Sequence, residues 1–132
     1  MQKKEIILLI EDEYDIADLM KDYLEESNYD VILARTRNEA FFKISNQKFD
    51  CIISDINLNQ SDVIPLFKEL RTNLKGINYG VPVIIHSGHV TGPIIKRNKE
   101  IIKKVFVKPT GSEEIINSLK KVIKAPKGVS AA

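Results

Sequence analysis

Five short apolar runs recur along this chain, and between them the apolar residues fall at helical spacing. The runs lie within strands expected at 6–10, 30–35, 51–54, 83–87 and 105–107. The first, Ile6-Ile-Leu-Leu-Ile10, has no polar alternation, which is the pattern of a strand buried on both faces. Between the runs, Ile16, Leu19, Met20, Tyr23 and Leu24 mark one face of a helix over 15–27. Thr36-Arg-Asn-Glu39 is a capping box that opens a helix to about residue 47. Val63, Leu66, Phe67 and Leu70 stripe a helix ending near residue 73, with Pro65 in its first turn. A short helix is expected from Pro93 to about Glu100. A second capping box, Thr110-Gly-Ser-Glu113, opens a last helix striped by Ile115, Ile116, Leu119, Val122 and Ile123. A strand–helix alternation repeated five times requires an α/β fold, a parallel sheet with helices on both faces and right-handed crossovers. One domain over 1–124 accounts for the pattern, with Pro126, Gly128 and small residues predicting a frayed tail at 125–132.

Each run ends in a polar side chain, at the sheet edge where ligands of open α/β folds bind. Ile6–Ile10 ends in Glu11-Asp12-Glu13, Cys51–Ser54 in Asp55, the fourth run in Ser87 and the fifth in Lys108. Crowded carboxylates are costly unless a cation offsets them. Glu11, Asp12 and Asp55 offer three oxygen ligands, which suit a hard cation such as Mg²⁺ or Mn²⁺; the absence of a Cys/His set argues against zinc. Mg²⁺ commonly completes its shell with water and phosphate oxygens, so the site also predicts a phosphoryl ligand. An Asp carboxylate can attack phosphorus to give an acyl phosphate. Ser87 can donate to one phosphoryl oxygen and Lys108 can place a compact charge on another. Singly these residues read as turn, cap and surface groups. Together, four strand ends would have to carry this chemistry by coincidence.

The bulk numbers exclude other classes. No apolar run approaches the ~18 residues of a membrane span. Residues 1–5 contain no signal-peptide core, and the single cysteine, Cys51, sits in an apolar run. These features fit a cytoplasmic, soluble protein. Residues 1–90 hold 10 basic and 15 acidic residues, whereas 91–132 hold 10 and 3. The basic half lacks aromatic stacking residues in the pattern that single-stranded nucleic acid requires, so no direct nucleic-acid binding is expected.

Ile-Glu-Asp-Glu, Ser-Asp-Ile-Asn-Leu, Ile-His-Ser-Gly and Val-Lys-Pro, in this order, resemble the receiver domain of two-component response regulators. The separations agree: 43 residues from Asp12 to Asp55, 32 on to Ser87 and 21 on to Lys108. The resemblance implies a flavodoxin-like sheet of order 2-1-3-4-5, the order that a chemotaxis receiver shares with flavodoxin. It implies that Asp55 accepts a phosphoryl group from a histidine kinase or a histidine phosphotransfer protein, as a phospho-acceptor and not a turnover enzyme. Glu11, Asp12, Asp55 and the backbone carbonyl of Asn57 would hold the metal, and Ser87 and Lys108 the phosphoryl group. Lys108-Pro109 matches a pair often joined by a cis bond. A downstream protein would dock on the face of the fourth helix, fifth strand and fifth helix.

The chain departs from that family at three places. Asn59 and Val63 stand where Pro and Gly are usual, and 98–104 lacks the usual small-residue turn. Val105 occupies the place of an aromatic switch residue, with Phe106 expected on the opposite face. These departures leave a second reading open, a constitutive interaction module without phospho-switching. An Asp-dependent phosphatase would need an acid/base carboxylate where Asn57 stands. His89, two residues beyond Ser87, is placed to influence an attacking water, while His86 reads as a hydrogen-bonded core or rim residue.

Overall fold

The computed structural model describes residues 3–59 and 61–124. Its elements in chain order are β1 (Ile6–Ile10), α1 (Tyr14–Glu26), β2 (Asp30–Ala34), α2 (Arg37–Asn46), β3 (Cys51–Ser54), β4 (Asn57–Leu58), β5 (Ser61–Asp62), α3 (Ile64–Thr72), β6 (Val83–Ser87), α4 (Gly92–Arg97), β7 (Ile102–Val107) and α5 (Ser112–Lys124). The tail expected at 125–132 lies outside the described residues. Five parallel strands form the sheet in the order β2-β1-β3-β6-β7. With the small β4–β5 hairpin set aside, this is the expected 2-1-3-4-5 order.

The two-residue period of the strands divides the core into two layers. Leu8, Ile10, Ile52, Val83 and Ile85 pack with Ala40 and Ile44 of α2 and with Leu66, Phe67 and Leu70 of α3. Ile7, Leu9, Ile53 and Ile84 pack with Met20 and Leu24 of α1 and with Ile115, Ile116, Leu119 and Val122 of α5. Central strands buried on both faces therefore need unbroken apolar runs. Cys51 lies in the second layer, fully buried, and burial pushes its thiol up.

Several boundaries differ from expectation for identifiable reasons. In α1 the buried residues are Ala17, Met20 and Leu24, while Leu19 and Tyr23 are exposed. The apolar face is rotated and narrowed because α1 covers the edge of the sheet. The 57–61 loop folds into the β4–β5 hairpin. β7 starts at Ile102, not Val105, and α4 stops at Arg97. Ile102 pairs with Val83, a bulge follows, and Lys104 pairs with Ile84. Lys103 is thus the extra residue of a bulged edge strand, a place where lysines discourage further pairing. Thr36 caps α2 as expected, accepting the Glu39 N–H at 3.0 Å. The second capping box does not form. Thr110 instead donates to the Val107 carbonyl at 2.6 Å, and α5 begins at Ser112.

One residue with no sequence signature ties down the long α3–β6 connection. Asn78 is buried, accepts the Phe49 N–H at 2.8 Å and donates to the carbonyls of Ile44 at 2.8 Å and Gln47 at 2.7 Å. It supplies acceptors and donors that the end of α2 and the start of β3 would otherwise lack.

Candidate functional site

β1, β3 and β6 are neighbours whose C-terminal ends stop at one level, so the residues after them converge. Ile10 is opposite Ser54 and Ser54 opposite Ile85. The Asp55 N–H continues the ladder to the Ile10 carbonyl at 3.0 Å, and the Lys108 N–H reaches the Ser87 carbonyl at 2.9 Å. The Lys108–Pro109 peptide is cis. Carboxylate oxygens of Glu11, Asp12 and Asp55 lie within 4.8 Å of one another. Glu11 and Asp55 are buried and Asp12 is half-buried.

Asp55 is held from both sides. Its Oδ1 accepts the Ser87 hydroxyl at 2.6 Å and the Ile56 N–H at 2.7 Å, with the Asn57 N–H farther off at 3.4 Å. Its Oδ2 accepts Lys108 Nζ at 2.8 Å. The same ammonium is 2.8 Å from Glu11 Oε1, and Glu11 Oε2 accepts the Glu13 N–H at 3.2 Å. Glu11 therefore does not cap α1 with its side chain in the usual sense. It is fixed between the chain entering α1 and Lys108.

One ammonium thus serves two buried carboxylates, and the titration follows from that ratio. Burial pushes the Glu11 carboxyl up, and the Lys108 and Glu13 hydrogen bonds only partly oppose it, while Asp55 adds repulsion. Burial would push Lys108 down, but its bonds to Asp55 and Glu11 outweigh this and the net direction is up. The two shifts are compatible: Lys108 feels two negative partners, and Glu11 shares one positive partner with a negative neighbour. The site carries an excess of negative charge that a divalent cation would offset, and its donors are all hard oxygens. These residues fit Mg²⁺. Both oxygens of Glu11 and both of Asp55 already accept hydrogen bonds, which leaves Asp12 the freest carboxylate of the three.

All the sequence-selected residues are therefore brought to one edge. Asn57 lies at the start of β4, exposed, two residues beyond Asp55. Val105 packs against the layer that contains α3, and Phe106 against the layer of α1 and α5, as expected from their alternation. His86 differs from expectation. It is buried, but its Nε2 has no partner among the described residues. Burial and the nearby Lys108 push its pKa down, with Asp55 acting in the opposite sense. Sequence reasoning also passed over Arg35, which follows β2 at the same edge and stacks on Tyr14, its guanidinium carbon 3.8 Å from the ring centre. The strand-end rule that selected Asp55 and Lys108 applied equally to Arg35.

Comparison with known proteins agrees with this geometry. The family model described as "Response regulator receiver domain" matches residues 7–120. The alkaline phosphatase synthesis transcriptional regulatory protein PhoP of Bacillus subtilis is 42% identical over 71 residues, 54% of this chain and 29% of that protein. Sporulation initiation phosphotransferase F of Bacillus subtilis is 24% identical over 120 residues, 90% of this chain and 94% of that protein. The solved receiver domain of Francisella response regulator 1452 superposes with a TM-score of 0.79 at 28% identity, covering 92% of this chain and 98% of that one. The chain spans about a third of the length of the transcriptional regulators it first matches. A family match over most of the chain, on a fold with the same strand order and the acidic site at the same sheet edge, places the protein in the response regulator receiver domain family.

Proposed function

We propose that Asp55 is the phospho-acceptor and that the protein relays a signal from a histidine kinase or histidine phosphotransfer protein. The observation that carries this reading is the hydrogen-bond set on Asp55, with Ser87 and Ile56 on one oxygen and Lys108 on the other. Those donors orient the carboxylate for attack. An Asp55 oxygen forms the new O–P bond as the P–N bond of the phosphohistidine breaks. The electron pair stays on the imidazole nitrogen of the donor. In the acyl phosphate, Ser87 and Lys108 donate to phosphoryl oxygens, and positioning and charge neutralisation account for the catalysis. Bound Mg²⁺ would neutralise charge on the phosphoryl oxygens, with Glu11, Asp12, Asp55 and the Asn57 backbone carbonyl as the groups that would hold it. The product is a modified carboxylate on the protein, so the chain acts as an acceptor and not as a turnover enzyme. Among the described residues no helix is long and apolar enough to cross a membrane.

Output would pass to a protein docking on α4, β7 and α5. Lys96, Arg97 and Lys104 are exposed there, as is Val107, and Lys103 is half-buried in the bulge. No observation favours the constitutive-module reading. The test is intact mass after treatment with acetyl phosphate and Mg²⁺. One acid-labile phosphoryl increment is expected, lost completely in Asp55→Asn and in EDTA. Labelling that persists in either condition would overturn the assignment.

A further inference from the structure

A cavity opens at the same edge of the sheet, on the side away from Ser87 and Lys108. Its volume is about 500 Å³. The turn from β2 into α2 forms one wall, with Arg35, Thr36, Arg37 and Asn38, and the β4–β5 hairpin forms the other, with Leu58 and Ser61. Three observations give this cavity a chemistry. The first is a pair of guanidiniums two residues apart. Arg37 Nη1 donates across to the Asp62 carbonyl at 3.2 Å, and no other acceptor meets Arg37 among the described residues. Arg35 Nη2 reaches Asp18 at a long 3.3 Å, an aspartate whose side chain is 66% exposed, while its Nη1 is buried without a partner among the described residues. A buried guanidinium N–H is costly to leave without an acceptor. The second is the first turn of α2. Thr36 caps the Glu39 N–H, but the Arg37 and Asn38 amides meet no acceptor among the described residues. The third is the floor. Leu58 and the Ser61 hydroxyl region add an apolar and a polar surface, and the volume falls within the range of small-molecule sites.

We propose that this cavity binds the phosphate group of a small organic phosphate. Arg35 and Arg37 would take its oxygens in the forked geometry that guanidinium provides, and the open amides of α2 would complete the cradle. Leu58 would contact the organic part. The site is separate from the Asp55 centre, though close to it in the chain: Arg35 follows Ala34, whose carbonyl accepts the Glu11 N–H at 3.0 Å. Its two guanidiniums have the opposite sign to the Glu11, Asp12 and Asp55 cluster, so the two sites select different ions. The proposal stands whether or not Asp55 is phosphorylated.

The experiment is an amide NMR titration of the full chain in EDTA, first with inorganic phosphate and then with AMP, with sodium chloride as the ionic-strength control. Saturable shifts are expected at Arg37, Asn38 and Ser61, with AMP saturating at lower concentration than phosphate. Arg37→Gln should weaken AMP roughly tenfold, as loss of a charge-assisted pair implies. Arg35→Lys keeps the charge, loses the fork and should also weaken binding. Arg35 also supports Tyr14, so the Arg37→Gln result decides if the Arg35 variant unfolds. Shifts that are linear and equal in chloride would overturn the proposal. So would unchanged AMP affinity in Arg37→Gln, or shifts centred on Ser87 and Lys108, which would assign the anion to the Asp55 centre. Binding of a phosphohistidine-bearing protein that depends on Arg37, with no response to either free phosphate, would also overturn it and assign the pocket to a protein contact.

Discussion

The Asp55 centre and the α4 segment sit at neighbouring strand ends but are held by different means. Around Asp55, buried side chains are locked by short bonds to side chains distant in sequence, Ser87 and Lys108. α4 has six residues, none buried, and its N-cap Thr91 makes no side-chain cap bond. It is attached through Ile94, which packs on the layer of α2 and α3, and through the residue that ends it. Asn98 is buried, donates to the Ile94 carbonyl at 2.9 Å and lies 3.3 Å from Arg71 of α3. Fixed geometry suits the chemistry proposed at Asp55, and a shallow energy surface suits the output role proposed for α4. The site is specified by charge pairing and the segment by one polar anchor and one partly buried apolar contact.

The comparison is tested hardest at Lys108. Lys108→Met removes the cation shared by two buried carboxylates. A fully buried pair broken in this way costs ~3–5 kcal/mol, and partial exposure reduces the expected loss to about 2–3 kcal/mol at pH 7. Mg²⁺ should restore most of that loss, because the metal and the ammonium neutralise the same charge. The same variant should bind Mg²⁺ more tightly than wild type, despite being inactive as an acceptor. Urea unfolding with and without Mg²⁺ measures both. A variant as stable as wild type in EDTA would show that the centre is not held by charge pairing.

These two regions also mark what the sequence made legible. The parallel sheet and the Asp55 set follow from apolar runs with polar ends, a pattern that fits strands buried on both faces, whereas the strand order was implied by the family resemblance. The α4–β7 region did not yield to the same rules. Ile101 and Ile102 are adjacent apolar residues that fit a helix end or a strand start equally well, and the bulge at Lys103 breaks the two-residue period that would have decided it. The capping boxes make the same point. Thr36 and Thr110 head the same local pattern, yet only Thr36 caps a helix. Thr110 is drawn to the Val107 carbonyl by the turn after β7, a tertiary constraint absent from a four-residue motif. Thr36→Ala should therefore cost ~1 kcal/mol by thermal or urea unfolding. Thr110→Ala, which loses a single exposed hydrogen bond, should cost less; an equal or greater loss would mean that the second box contributes after all. Asn78 and Asn98 were invisible for a related reason. An asparagine in a loop carries no signature of the backbone groups it will meet.

The α4 side of the comparison is tested at Asn98. Asn98→Leu removes the bonds to Ile94 and Arg71 and leaves the Arg71 guanidinium without this acceptor. The expected global loss is about 1–2 kcal/mol. The more telling readout is local: amide hydrogen exchange should accelerate over 90–101 and remain unchanged at Ile53 and Ile84 in the central strands. Uniform acceleration through the sheet would show that α4 is coupled to the core as firmly as the Asp55 centre is.

The smallest effect concerns His86, a buried polar group of the Asp55 region whose Nε2 lacks a partner among the described residues. It lies on β6 opposite Phe106 of β7, and Lys108 and Asp55 both act on it electrostatically. Burial holds its folded pKa below the ordinary 6.5, Lys108 lowers it further and Asp55 opposes them. As pH falls through 6.5 the unfolded chain takes up a proton first, so stability present above that pH declines until the folded His86 also titrates. Glu11 works in the opposite sense. Its raised carboxyl binds a proton more tightly when folded, so it favours the folded state as pH falls toward 4.5. The two contributions overlap in wild type and must be separated by difference. His86→Met fills the site with an unbranched apolar chain and removes one of the two titrations. The stability difference between variant and wild type should therefore grow as pH drops from 7.5 to 5.5, in favour of the variant. The change should be small beside the Lys108→Met loss. Urea midpoints at several pH values in EDTA would read it. Parallel curves would mean that His86 meets the folded and unfolded environments alike, and that the Asp55 centre contains no unsatisfied member.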